Sequence, residues 1–220
     1  MANPWIATDD FSSYSNGASL NGGSGGSGWN GNWSVNYQTA TVENTPTPGS
    51  PAKSVYLTGA PALGVDFTRA ITGIASGIVR IYFYATNVPT GTKGYYPIVL
   101  QQSGTSKFYL EWGGGTFTGN TIGLWGSGTP QQIGSGLSAA AWHYVDIDFG
   151  SSPNQARAAL DGGAWSPYVT ATSGSFSTID GYRCTTADGN SGDPGYYIGP
   201  IGPKPAPAIA SAFFMAAAAQ

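Results

Sequence analysis

The feature that most constrains this chain is an alternation of apolar and polar residues at every second position, carried in short runs that glycine, proline and asparagine interrupt. In Trp142-His-Tyr-Val-Asp-Ile-Asp-Phe149, Val145, Ile147 and Phe149 share one side of an extended strand, while Trp142, Tyr144, Asp146 and Asp148 share the other. Ile78-Val-Arg-Ile-Tyr-Phe-Tyr84 repeats the arrangement, opposing Val79, Ile81 and Phe83 to Arg80, Tyr82 and Tyr84. Lys107-Phe-Tyr-Leu-Glu-Trp112 sets Phe108, Leu110 and Trp112 against Lys107, Tyr109 and Glu111. A helix, with its longer period, would mix these sets on one surface.

Candidate strands cover 34–43, 53–57, 63–71, 77–86, 95–102, 107–112, 121–125, 142–149, 155–161 and 195–201. Turn chemistry separates them, as in Pro46-Thr-Pro48, Ser151-Ser-Pro-Asn154 and Asp161-Gly-Gly163. Many short strands with no helical pattern between them predict an all-β fold, a two-sheet antiparallel β-sandwich. At 220 residues the chain suits one such domain. We place its expected limits at 1–203.

Residues 204–220 break the pattern. Pro203-Lys-Pro-Ala-Pro207 reads as a stiff extended spacer. The apolar run after it, 208–219, suits a short helix of about two to three turns. Its Ile209, Phe213, Phe214 and Met215 need cover, from this domain or from a neighbour, and are the expected assembly contact. The glycine-rich tract 21–28 has two readings: a flexible linker, or a loop lying tight against a sheet, since aromatic residues flank it closely.

Only 9% of residues are charged, against about 25% in ordinary soluble domains, so Ser, Thr, Asn, Gln and Gly must cover the surface. With a net charge of -3 and no Lys/Arg cluster, nucleic acid and anionic membrane are excluded as expected partners. The single cysteine, Cys184, allows no intramolecular disulfide and no thiolate metal site; it reads as a small buried or half-buried residue. The first ten residues carry neither a basic leader nor an apolar run, so no secretory signal is expected.

Chemistry is sparse. The only glutamates are Glu43 and Glu111, and Asp146 with Asp148 form an i, i+2 pair on one strand side, a spacing that ordinary solvated positions also show. The sole histidine, His143, shares a strand side with Val145 and Ile147 and reads as a core or sheet-edge residue rather than a general base. The glycine tract lacks the Gly-Lys-Ser/Thr ending of a phosphate loop. The loop Asp188–Asp193 is rich in oxygen ligands, but an ordinary turn explains its spacing better than calcium does. No cofactor and no metal are expected. Binding remains: Tyr82, Tyr84, Tyr109, Trp142 and Tyr144 offer flat rings for the C–H faces of sugars, and Arg80, Glu111, Asp146 and Asp148 offer partners for hydroxyls. The competing reading is that a loop or the glycine-rich tract covers these residues.

The segment Asp9-Asp-Phe-Ser-Ser-Tyr14, with Gly28-Trp29 and Trp33, resembles the start of concanavalin A-like jelly rolls of the laminin-G, pentraxin and legume-lectin kind. The run 142–149, followed by Gln155-Ala-Arg-Ala-Ala-Leu-Asp-Gly162, resembles a strand pair of that superfamily, and Tyr196-Tyr-Ile-Gly-Pro-Ile201 stands where its last strand returns beside the first. The resemblance implies the jelly-roll fold over residues 9–201 and leaves function open. The E-x-D-x-x-E arrangement of the superfamily's laminarinase-like enzymes is missing. Jelly rolls of this kind recur on phage surfaces, which implies, with the low charge and apolar tail, a non-enzymatic virion structural protein: a decoration, head or tail accessory protein of a bacteriophage. Its expected partners are other virion proteins or copies of itself, with surface glycans as an auxiliary ligand and the virion as its location. Two alternatives stay open, a lectin-like module not tied to a virion and a polysaccharide-cleaving hydrolase or lyase of the same fold.

Overall fold

The alternating runs become strands because their apolar sides have only each other to meet. The computed structural model describes residues 5–37, 39–58, 65–88, 94–114, 117, 120–186 and 195–203. Along the chain the strands are β1 (Trp29–Asn36), β2 (Thr39–Glu43), β3 (Ser54–Thr58), β4 (Asp66–Ile74), β5 (Gly77–Ala85), β6 (Tyr95–Gln102), β7 (Thr105–Trp112), β8 (Ile122–Trp125), β9 (Gln131–Gly134), β10 (His143–Phe149), β11 (Gln155–Leu160), β12 (Val169–Thr170), β13 (Ile179–Thr186) and β14 (Tyr196–Pro203). One sheet has the order β1-β4-β13-β6-β7-β8-β9 and the other β12-β11-β10-β5-β14-β3-β2, every pairing antiparallel. The expected tail and the loop Asp188–Asp193 lie outside the described residues.

The two sheets close on a core that the alternation anticipates. Val79, Ile81, Phe83, Val145, Ile147 and Phe149 come from the second sheet and Phe108, Leu110 and Trp112 from the first, all fully buried. Phe83 meets Trp112 edge-on with ring centres 5.5 Å apart. Cys184 is buried in β13. Burial pushes its thiol pKa well up, with the nearby Asp66 carboxylate adding to the effect.

Two departures from the expected strands come from backbone irregularity. The expected strand 34–43 is two strands in different sheets, broken at Tyr37, whose φ is 74°. Strand β13 lies between β4 and β6 yet has no clean alternation: a register shift between Ile179 and Gly181 moves the buried set to Tyr182, Cys184 and Thr186.

The glycine tract is not a linker. Gly22 N–H donates to the Trp33 carbonyl at 2.8 Å, Ser27 and Thr8 exchange two backbone hydrogen bonds of 2.8 Å, and Gly25 N–H donates to the Tyr14 hydroxyl at 2.7 Å. Two buried charges anchor it. Arg69, on the inward side of β4, donates to the carbonyls of Gly25 at 2.6 Å and Gly31 at 2.9 Å, and to Asp9 at 3.3 Å. Its guanidinium lies 5.3 Å from the Trp29 ring centre and 5.2 Å from that of Trp33.

The N-terminal segment also stitches the sandwich together. Gly17 and Leu20 donate to the carbonyls of Val42 and Ala40 on β2, covering an edge strand, and Asp9 pairs with Ile201 of β14 through two hydrogen bonds of 2.9 Å. The last strand thus returns beside the first segment.

Candidate functional site

The outward side of the second sheet is where the sequence concentrates its rings. Register places Tyr82 opposite Tyr144, Arg80 opposite Asp146, Tyr84 opposite Tyr197 and Tyr197 opposite Tyr56. Because directly opposed residues on one face touch, the rings form a ridge. Centre-to-centre distances are 4.8 Å for Tyr56 and Tyr197, 5.5 Å for Tyr197 and Tyr84, 5.4 Å for Tyr84 and Trp142, and 5.5 Å for Tyr82 and Tyr144. Gly199 joins the two parts: a Cβ there would stand 2.9 Å from both Trp142 and Tyr82, so only glycine lets the indole lie down on β14. All six rings are half-buried, keeping an apolar surface in water.

Beside the ridge the charges are tied to each other. The Arg80 guanidinium donates to both oxygens of the fully buried Asp146, at 2.7 and 2.9 Å, and lies 3.9 Å over the Tyr144 ring. Those hydrogen bonds raise the already high pKa of Arg80 further, so it stays charged. Asp148, also buried, accepts from Arg157 Nε at 2.9 Å and from the Ser151 hydroxyl. Each of the two aspartates is therefore held by its own arginine.

Two of the residues grouped with this face in the sequence lie elsewhere. Tyr109 and Glu111 sit on β7, in the first sheet, and face outward on the opposite side of the sandwich. Alternation assigns a residue to a side of its strand, but not a strand to a sheet. There Tyr109 stacks on Trp125 with ring planes 10° apart, and Glu111 accepts from Trp125 Nε1 at 2.5 Å. Burial raises the Glu111 carboxyl pKa, and burial with that carboxylate pushes the Tyr96 hydroxyl to about 12. His143 has both ring nitrogens engaged, Nδ1 with Asp161 at 2.7 Å and Nε2 with the Ser138 carbonyl at 3.1 Å. Both partners are acceptors, which favours the doubly protonated ring; the Asp161 hydrogen bond is the largest cause of its raised pKa. Ile209, Phe213, Phe214 and Met215 lie outside the described residues.

Alternation within single strands missed Tyr56 and Tyr197. The signal was there: Tyr196 and Ile198 are apolar at i, i+2, which turns Tyr197 outward.

Sequence comparison matches the chain to no protein-family profile and to no curated protein. Solved structures do match. Over 91% of this chain and 98% of that one it is similar to lectin II from Ulex europaeus, with a TM-score of 0.54 and 8% identity. The carbohydrate recognition domain of Emp47p matches over 90% of this chain and 96% of its own, at TM-score 0.50 and 11% identity. The fold is a concanavalin A-like jelly roll. The jelly roll recurs in enzymes too. A sialidase matches at TM-score 0.59 and 12% identity, over 78% of this chain but 17% of the sialidase. The carbohydrate esterase of the Shiga toxin-encoding bacteriophage phi24B matches at TM-score 0.51 and 17% identity, over 77% and 88%. Identities this low speak for the jelly-roll fold and not for an activity.

Proposed function

We propose that this chain is a non-enzymatic carbohydrate-binding protein whose contact surface is the ring ridge on the outer face of the second sheet, and that it works as a structural component of a phage particle. The observation that carries the binding reading is that two ring clusters, Tyr56–Tyr197–Tyr84–Trp142 and Tyr82–Tyr144, lie on one face across β3, β14, β5 and β10, with Gly199 between them. Rings held edge to edge by a sheet lose little freedom on binding, and they offer flat apolar area to the C–H faces of a sugar chain.

Glycoside cleavage is disfavoured by the state of the two aspartates beside the ridge. Acid–base cleavage of a glycoside needs one carboxyl free to donate a proton and another free to attack or to activate water. Asp146 and Asp148 already accept from Arg80 and Arg157 and are buried. The phage placement draws on the likeness to a bacteriophage carbohydrate esterase and on the apolar tail read from the sequence.

A glycan array tests the binding reading. Wild-type protein is expected to bind a set of related glycans, and Tyr84→Ala or Tyr197→Ala to weaken each hit by about 0.5–1.5 kcal/mol per ring. A blank array would end the reading. Immunogold labelling of particles from the source tests the placement, with label on particles expected and label confined to soluble fractions contradicting it.

A further inference from the structure

Where β14 carries its bulge, the outer face opens into a groove of about 410 Å³. That is within the range of about 300–1,000 Å³ in which small ligands are enclosed. The bulge is a register shift between Ile198 and Ile201 at Gly199-Pro200. It leaves Pro200, Ile201 and Pro203 as one wall. The opposite wall is the N-terminal segment, Thr8 to Asp10, laid along β14 by the Asp9 and Ile201 hydrogen bonds. The glycine tract lines part of it with Gly26 and Ser27. Gly26, at φ +75°, packs so closely that a Cβ would stand 2.1 Å from the Thr8 carbonyl. Gly202, Arg80 and Tyr82 complete the lining, so the groove adjoins the ring face at Tyr82, which packs on Tyr144.

The charges select the ligand. Arg80 is neutralised by Asp146, and Asp9, buried on the far side, by Arg69. Asp10 is exposed and has no ion-pair partner among the described residues. Its Oδ1 accepts from the Ser12 N–H at 3.0 Å and hydroxyl at 2.7 Å, leaving Oδ2 open. Among the described residues the groove therefore combines an apolar wall and a tyrosine ring with two hydroxyls, Thr8 and Ser27, 3.1 Å apart, and one surplus negative charge. An amphipathic ligand with hydroxyl donors suits it; an anion does not.

Building on the carbohydrate reading above, we propose that this groove is a subsite for one uncharged sugar unit of the chain that crosses the ridge. Asp10 accepts its hydroxyls, Tyr82 stacks on its C–H face, and sugars bearing a carboxylate, sulfate or phosphate are turned away.

The test is calorimetric titration with neutral tetrasaccharides (cellotetraose, maltotetraose, mannotetraose, chitotetraose) and with anionic tetragalacturonate, on wild type, Asp10→Asn, Ser27→Tyr and Tyr84→Ala. Asp10→Asn keeps the acceptor that Ser12 uses and removes the charge, so folding is spared. We expect at least one neutral tetrasaccharide to bind with no measurable tetragalacturonate affinity. Asp10→Asn should weaken the neutral ligand about tenfold, and Ser27→Tyr, which fills the groove, should do the same or worse. If Tyr84→Ala weakens binding about three- to tenfold while both groove variants bind as wild type, the subsite is wrong and the ridge reading stands. Equal affinity for tetragalacturonate would also overturn the subsite. Failure of every tetrasaccharide to bind wild type would take the carbohydrate reading down with it.

Discussion

Asp9 accepts the indole N–H of Trp33, 24 residues further along, at 2.9 Å in the interior. The same carboxylate accepts from the Phe11 N–H at 2.9 Å, from the Tyr14 hydroxyl at 3.3 Å and from Arg69 at 3.3 Å. Burial displaces both charged partners toward their neutral forms, raising the Asp9 pKa and lowering that of Arg69. The pair thus specifies how the N-terminal segment lies against β4 more than it adds net stability. Removing one partner is another matter. Asp9→Ala leaves a buried guanidinium without its counter-charge and takes the carboxylate acceptor from three further donors, and it should cost about 3–5 kcal/mol in urea unfolding. A loss under 1 kcal/mol would show that the segment is not docked as described.

The glycine tract offers a sharper comparison. Gly22 and Gly26 both have positive φ, 81° and 75°, but a Cβ on Gly22 meets nothing within 4 Å while one on Gly26 collides with the Thr8 backbone. Gly22→Ala should cost about 1–2 kcal/mol, the left-handed penalty alone. Gly26→Ala should cost at least about 1 kcal/mol more. A flexible linker would tolerate both equally, so equal midpoints in urea would contradict an ordered tract.

Gly199→Ala puts a methyl group under Trp142, 2.9 Å from its ring and from Tyr82, and 3.2 Å from Pro48. Overpacking of this kind should cost about 1–3 kcal/mol. It should also lift the indole, giving a red-shifted tryptophan emission and weaker glycan binding. Unchanged emission and affinity would mean that Trp142 does not rest on β14.

One pH dependence of stability follows from His143 and Asp161. Its hydrogen bond to Asp161 raises the His143 pKa, so its contribution is complete below the unfolded histidine value, about 6.5, and is lost as pH rises through the folded one. Burial works against Asp161, but hydrogen bonds from His143 and the Tyr144 N–H outweigh it and hold its pKa below 3.8, so its contribution fades only in stronger acid. The melting-temperature gap between wild type and His143→Ala should therefore be widest between about pH 4 and 6.5 and narrow above that. A gap that is flat from pH 5 to 8.5 would contradict the ion pair.

Much of this architecture is legible in particular residues of the sequence. Val79, Ile81 and Phe83 against Arg80, Tyr82 and Tyr84 define both the core side and the ridge side of β5, and 142–149 does the same for β10. Asp9 and Arg69, 60 residues apart, give no such signal, because nothing local reveals that a charge on the inward side of β4 has a partner waiting. Strand β13 hides behind its bulge. Tyr109 and Glu111 look like members of the ridge because period two is blind to sheet membership, and Tyr56 and Tyr197 join it only through the pairing of β3 with β14. Local pattern fixes sides; long-range pairing fixes neighbours.

The most direct measurement is a titration of the best array glycan against one ring variant from each side of the sandwich. Tyr84 belongs to the ridge, and Tyr109, stacked on Trp125, belongs to the opposite face. Binding through the ridge predicts that Tyr84→Ala weakens the complex about three- to tenfold while Tyr109→Ala leaves it unchanged. Loss on Tyr109→Ala with wild-type affinity in Tyr84→Ala would place the sugar on the other sheet and contradict the account.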